Sequence, residues 1–127
     1  MEKTAVQLTP EEIAVYRAGW AKRAQQKQVI QKERLDRAWE VARQGATMLR
    51  REFGVDKVWV FGSLLYPERF DNHSDIDLAV ECIEGADFYR AVSWLLDIDF
   101  GFSFDLVELV HASDRMRKVI ETEGQEI

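Results

Sequence analysis

The chain has 127 residues, 46% of them hydrophobic and 31% charged, and a formal net charge of −6. That size and balance suit one soluble globular domain with a real core, and they exclude a general nucleic-acid binder, which needs a surplus of Lys and Arg to neutralise phosphates. No apolar run approaches a membrane span, and the N-terminal MEKTAVQLTPEE lacks the basic start and apolar core of a signal peptide. The expected location is the cytoplasm, with no membrane and no direct nucleic-acid partner.

Thr9-Pro10-Glu11-Glu12 is a helix start: Thr9 can cap, Pro10 suits the first helical position, and Glu12 completes a capping box. From there to Phe53 no further proline occurs. Ile13, Tyr16, Trp20 and Ala24, then Leu35, Ala38, Trp39, Ala42, Ala46, Leu49 and Phe53, keep helical spacing. This predicts one very long helix or two in series, with the polar stretch from Lys22 to Arg34 either solvated or the place where the helix breaks. Gly54 is suited to end it with a left-handed residue. Val55 to Phe61 is rich in β-branched and aromatic residues and predicts a strand covered on both faces. A loop or short helix follows, punctuated by Pro67 and by Asp71-Asn72-His73-Ser74.

A second strand is expected over Asp75 to Cys82, and a turn at Glu84-Gly85. Asp87 is placed to cap a helix that packs Phe88, Val92, Leu95 and Leu96 on one side and stops near Phe100-Gly101. Phe102 to Val110 predicts a third strand with Asp105 at its centre, and Ser113 can cap a short final helix, DRMRKVIETEG. The organisation expected is a single domain over 1–127, with an N-terminal helical arm over about 10–53 and a core over about 54–127.

Most of the basic residues, from Arg17 to Arg51, lie in the helical arm. A solvated face laced with ion pairs such as Glu33 with Arg37 accounts for them, and a docking arm for a partner protein or for nucleotide phosphates is the functional alternative. The single cysteine, Cys82, has no Cys or His at ligand spacing and reads as a packing residue within its strand.

The chemistry concentrates between Val58 and Val80. An apolar strand that opens with Asp75 and Asp77, two acids of the same parity, puts both carboxylates on one face. If the second and third strands are neighbours, Asp105 joins them. Three unneutralised carboxylates in one small space repel, and one or more of them has a raised pKa. A hard divalent cation, Mg²⁺ or Mn²⁺, relieves this and is commonly shared with phosphates. Gly62-Ser63 at the end of the preceding strand supplies the other half, because a glycine lets backbone amides approach a phosphate and the serine adds a hydroxyl donor. Gly-Ser and Asp-x-Asp are each common alone. The information lies in their order along the chain.

In that order the chain resembles the nucleotidyltransferase superfamily typified by DNA polymerase β, and within it the minimal nucleotidyltransferase (MNT) family. The resemblance covers about Lys57 to Leu109: Phe61-Gly62-Ser63 matches the family's glycine-serine turn, Asp75-Ile76-Asp77 its paired metal ligands, and Asp105 in Ser103-Phe104-Asp105-Leu106-Val107 its third carboxylate. The spacer between Ser63 and Asp75 is one residue longer than is usual there, and carries Tyr66-Pro67 where small residues are common. The resemblance implies an α/β (α+β) fold, a small mixed β-sheet with flanking helices preceded by a long N-terminal helical segment. It implies ATP as substrate and two Mg²⁺ ions, bridged by Asp75 and Asp77, with Asp105 on the ion that activates the attacking hydroxyl. Gly62 and Ser63 would hold the β- and γ-phosphates. His73 reads as a loop residue.

The chain carries no additional domain to grip an acceptor, so the acceptor is expected to bring its own surface. Minimal members of this family resemble the antitoxin of bacterial two-gene modules whose partner is a HEPN-domain toxin. The implied activity is Mg²⁺-dependent transfer of AMP to a tyrosine hydroxyl of that toxin. Two alternatives stand beside it: a binding module that neutralises its partner sterically, and an enzyme acting on a small hydroxylated molecule such as an aminoglycoside. Homo- and hetero-oligomers are both compatible with the sequence.

Overall fold

A computed structural model describes residues 8–127, and the chain divides into two compact units between Arg34 and Leu35. Helix α1 (Pro10–Phe53) runs without a break, so the polar middle is helix. Beyond Pro10 at its first position it contains no proline, and it is rich in Ala, Gln, Lys and Arg, whose helical propensity is high. The Thr9 hydroxyl accepts the Glu12 N–H at 3.2 Å. Glu11 and Glu12 in the first turn and Arg50 and Arg51 in the last complement the helix dipole. Gly54, at φ +68°, terminates the helix in a conformation a side chain would resist.

No residue from Pro10 to Arg34 is buried, and Tyr16, Trp20 and Ile30 are exposed. From Leu35 onward the helix changes character and buries Ala38, Val41, Ala42, Gly45, Ala46 and Leu49. The small and aliphatic residues of 38–49 are core residues. Arg37 pairs with Glu40 at 2.9 Å and with Asp99 at 3.2 Å rather than with Glu33.

The sheet has four strands in the order β3-β2-β1-β4: β1 (Val58–Phe61), β2 (Ile76–Val80), β3 (Phe104–Glu108) and β4 (Gln125–Glu126). β1 is antiparallel to β2 and β4, and β2 is parallel to β3. A mixed sheet flanked by helices is the architecture the sequence implies. All three predicted strands are shorter than expected, because Val55, Cys82 and Phe102 are β-favouring residues beyond the ladders. Cys82 lies outside β2 and is exposed, so the packing role read for it does not hold. The fourth strand escapes the sequence altogether: two polar residues are strand only because the edge of β1 offers partners.

Alternation sorts the sheet into two faces. Val58, Val60, Ile76, Leu78, Val80 and Leu106 join the packed half of α1 and helix α2 (Asp87–Leu96) in the main core. Phe61 and Ala79 pack on the other side with Ile120 of helix α3 (Asp114–Glu123), flanked by Trp59 and Val107. Ser113 caps α3, its hydroxyl accepting the Met116 N–H at 3.1 Å. Asp87 does not cap α2; it is the first helical residue and pairs with Arg90 at 3.1 Å. α2 stops at Leu96, which is exposed, while Ala91 and Leu95 are its buried residues.

Candidate active site

The face of the sheet that packs against α3 also carries the acids. Asp77 and Asp105 are direct partners across the parallel β2–β3 ladder, so both side chains leave the same face on neighbouring strands. They share it with Ala79 and Val107, two positions further along. Asp105 is the second residue of β3 rather than its centre, and Asp75 lies just before β2, where the Ile76 N–H donates to the Ser103 carbonyl at 2.9 Å.

Phe61 is the antiparallel partner of Asp77, which brings the turn after β1 against the acids. Gly62 has φ +75°, and a Cβ built on it would meet Asp77 Oδ2 at 2.1 Å. The glycine therefore serves Asp77 as well as any phosphate: its missing side chain is the space the carboxylate occupies. Residues 62–65 form a 3₁₀ turn, closed by the Tyr66 N–H donating to the Ser63 carbonyl at 2.9 Å.

Burial is the largest influence on Asp77 and, followed by the charges of Asp105 and Asp75, pushes its pKa up to about 6. The repulsion expected from clustered acids is present, and it falls on the half-buried member. The three carboxylates share a field but do not close into a cage: among the described residues no group of three or more His, Cys, Asp or Glu side chains is placed to hold a metal ion. Asp75 accepts a hydrogen bond from the Ser103 hydroxyl, and the Asp77 carboxylate lies over Gly62. By donor chemistry the set fits a hard divalent cation, being all oxygen with one carboxyl reluctant to ionise alone.

Beside this face lies an open groove of about 610 Å³, lined by Phe61, Gly62, Ser63, Tyr66 and Arg69 from the β1–β2 connection and by Ser113, Arg115, Met116, Val119 and Glu123 around α3. The sequence reading places Gly62 and Ser63 here but does not find Arg69, Arg115 or the α3 wall. No spacing rule links an arginine in a loop to one in the last helix. Ser103 was also without a role. His73 is an exposed loop residue whose N–H donates to Asp71 Oδ1 at 2.8 Å.

A sheet face with paired acids, an adjoining glycine-serine turn and a groove leading from it is an arrangement suited to phosphoryl or nucleotidyl transfer. The chain belongs to the Polymerase beta nucleotidyltransferase family, whose model matches residues 44–127. It is accordingly a nucleotidyltransferase. No curated protein sequence matches it significantly. In fold it is similar to a crystal structure of a toxin-antitoxin with AMP-PNP, with 24% identity, 65% of this chain and 69% of that one covered, and a TM-score of 0.54. It is similar also to the toxin-antitoxin MntA-HepT, with 21% identity, 69% of each chain covered and a TM-score of 0.53. Among the described residues no helix is long and apolar enough to cross a membrane.

Proposed function

We propose that this chain is the antitoxin of a two-protein module and transfers AMP from ATP to a tyrosine hydroxyl of a HEPN-domain partner. The observation that carries the reading is the register of Asp77 against Asp105 with Gly62 opened to receive the Asp77 carboxylate. It joins acids and glycine-serine turn into one site, in a family that performs nucleotidyl transfer. The fold likeness to toxin-antitoxin complexes supports the kind of partner.

In this reading Asp75, Asp77 and Asp105 hold Mg²⁺, two ions in the fully loaded site, with Mn²⁺ able to replace them. The metal would supply charge neutralisation at the phosphates and a more acidic acceptor hydroxyl. The chain's own part is positioning. Gly62 and Ser63 place the β- and γ-phosphates, which orients the α-phosphorus toward the acid face. The tyrosine oxygen forms a bond to the α-phosphorus, the bond to the pyrophosphate oxygen breaks, and Asp105 takes the hydroxyl proton. The ordinary tyrosine hydroxyl is a weak nucleophile at neutral pH, so that proton acceptor matters. Residues 10–34 of α1 lie outside the family match, and their basic, exposed surface is a candidate element for gripping the partner.

The test is to incubate the chain with the product of its neighbouring gene, Mg²⁺ and ATP, and weigh that product. A gain of one or more AMP units, lost when Asp75 and Asp77 are both changed to Asn, is the expected result. An unmodified partner, with ATP and metal shown to be bound, overturns the reading. The open placement of the three acids favours one second reading, a binder that neutralises its partner sterically. It predicts that the double Asn variant still neutralises.

A further inference from the structure

The groove beside Gly62 contains a pair of cations that the glycine-serine turn and the three acids leave without a role. Residues 54–127 carry six basic side chains: Lys57, Arg69, Arg90, Arg115, Arg117 and Lys118. Two have structural employment. Arg90 pairs with Asp87 at 3.1 Å, and Arg117 donates twice to the Leu109 carbonyl, at 3.2 and 2.9 Å. Two others, Arg69 and Arg115, line the groove together with Gly62 and Ser63. Among the described residues neither has an ion-pair partner within 4 Å. In a region where acids far outnumber bases, two such guanidinium groups facing one concavity are a selective feature.

Arg69 is held where it stands. Its guanidinium Cζ lies 4.7 Å from the Tyr66 ring centroid, a cation–π stack. Its N–H donates to the Tyr66 carbonyl at 2.8 Å, and its own carbonyl accepts the Ser74 hydroxyl at 3.3 Å. The next residue, Phe70, is 1% exposed and anchors the loop in the core. Arg115 stands in the first turn of α3 and lines the same groove, where Met116 and Val119 add an apolar stretch. Among the described residues Glu123 is the only carboxylate in the lining.

We infer that Arg69 and Arg115 form a clamp on the polyphosphate of the bound nucleotide, with Met116 and Val119 as an apolar wall for its base. The inference rests on the nucleotidyltransferase reading of the Gly62-Ser63 turn and names the side chains that grip the triphosphate there. Guanidinium groups bind phosphate oxygens through paired N–H donors, and such charge-assisted bonds are worth more than neutral ones. An apolar wall carries no pattern of donors and acceptors, so the clamp reads phosphate number and not base identity.

Equilibrium dialysis of the full chain with ATP, AMP and adenosine in the presence of Mg²⁺ tests this. Arg69→Ala and Arg115→Ala are each expected to weaken ATP about tenfold, and the double variant roughly a hundredfold, with adenosine unchanged. Arg115→Lys, which keeps charge but not the fork, should fall between wild type and alanine. Both arginines are exposed, so folding is not at stake; the wild-type preference for ATP over AMP, shrinking as salt is raised, gives a readout that needs no variant. ATP binding at wild-type strength in the double variant overturns the clamp and leaves the nucleotide reading intact. A wild-type chain that binds no ATP overturns both.

Discussion

Between Pro10 and Arg34 helix α1 buries no residue, whereas between Leu35 and Phe53 it buries six. The backbone is the same helix throughout, but the reasons for it differ. The first stretch is helical through its Thr9 cap, its charge placement and the propensity of Ala, Lys, Gln and Arg. The second is helical because its small and aliphatic residues fill the space over the sheet. Amphipathic packing, and not propensity, holds most protein helices. The consequence is an unequal tolerance to change, and the candidate site lies in the unit that is intolerant.

The strongest way to break that comparison is a matched truncation. Leu49 is fully buried, and Leu49→Ala is expected to cost about 2–5 kcal/mol in urea unfolding, while Ile30→Ala, at an exposed site, stays within about 0.5 kcal/mol. Equal costs would show that residue 30 is covered in solution.

The second prediction concerns the site. In Gly62→Ala the new methyl competes with Asp77 Oδ2 for the same space, at a backbone φ of +75° that disfavours a side chain. The carboxylate, being the more mobile partner, gives way. Nucleotidyl transfer should then fall about a hundredfold, equivalent to roughly 2.7 kcal/mol in the barrier, against about 1–2 kcal/mol of stability lost to the strained backbone. A large loss of stability with transfer preserved would mean that Gly62 serves the fold and not Asp77.

Glycines in the two stretches of α1 sharpen the contrast. A Cβ on Gly45 would meet Leu95 Cδ2 at 2.8 Å, and Leu95 is itself fully buried, so Gly45→Ala should destabilise by about 1–3 kcal/mol. On Gly19 the nearest atom is the mobile Arg23 Nη1 at 3.4 Å, and Gly19→Ala should add up to about 1 kcal/mol of local helix stability, seen as slower amide exchange.

The smallest effect is tied to pH. Asp77 has a folded-state pKa raised from 3.8 to about 6, so it is a destabilising group whose penalty is absent below about pH 4 and complete above about pH 6. In a chelator, Asp77→Asn should melt higher than wild type at pH 7 by an amount near ~1 kcal/mol, reduced by solvent screening of a half-exposed group. The gain should vanish at pH 4. Adding Mg²⁺ at pH 7 should reverse the order, because only the wild type keeps the full carboxylate set.

The sequence was most legible where structure is made locally. Thr9, Ser113 and Gly54 act through their own turn of chain, and each is found where its chemistry predicts. Asp87 is the exception: one residue more of helix leaves Ala86 at the boundary, a shift that local propensity does not resolve. Strand limits failed for a related reason. Val55, Cys82 and Phe102 favour extended backbone wherever they stand, and only a partner strand decides whether a ladder forms.

The acids and the glycine-serine turn were readable because β alternation and chain order are properties of sequence. Asp75 and Asp77 have the same parity whatever surrounds them, and so the expectation of a raised carboxyl pKa and a family resemblance both followed from a short stretch of chain. What tertiary structure alone decided is which distant groups meet. The parallel register put Asp105 beside Asp77, the β1–β2 pairing laid the Asp77 carboxylate over Gly62, and the docking of α3 on the sheet brought Arg115 into the groove that Arg69 lines. Those contacts join segments with no shared periodicity, and they are fixed by burial of Phe61, Ala79 and Ile120 in a packing problem that has no local solution.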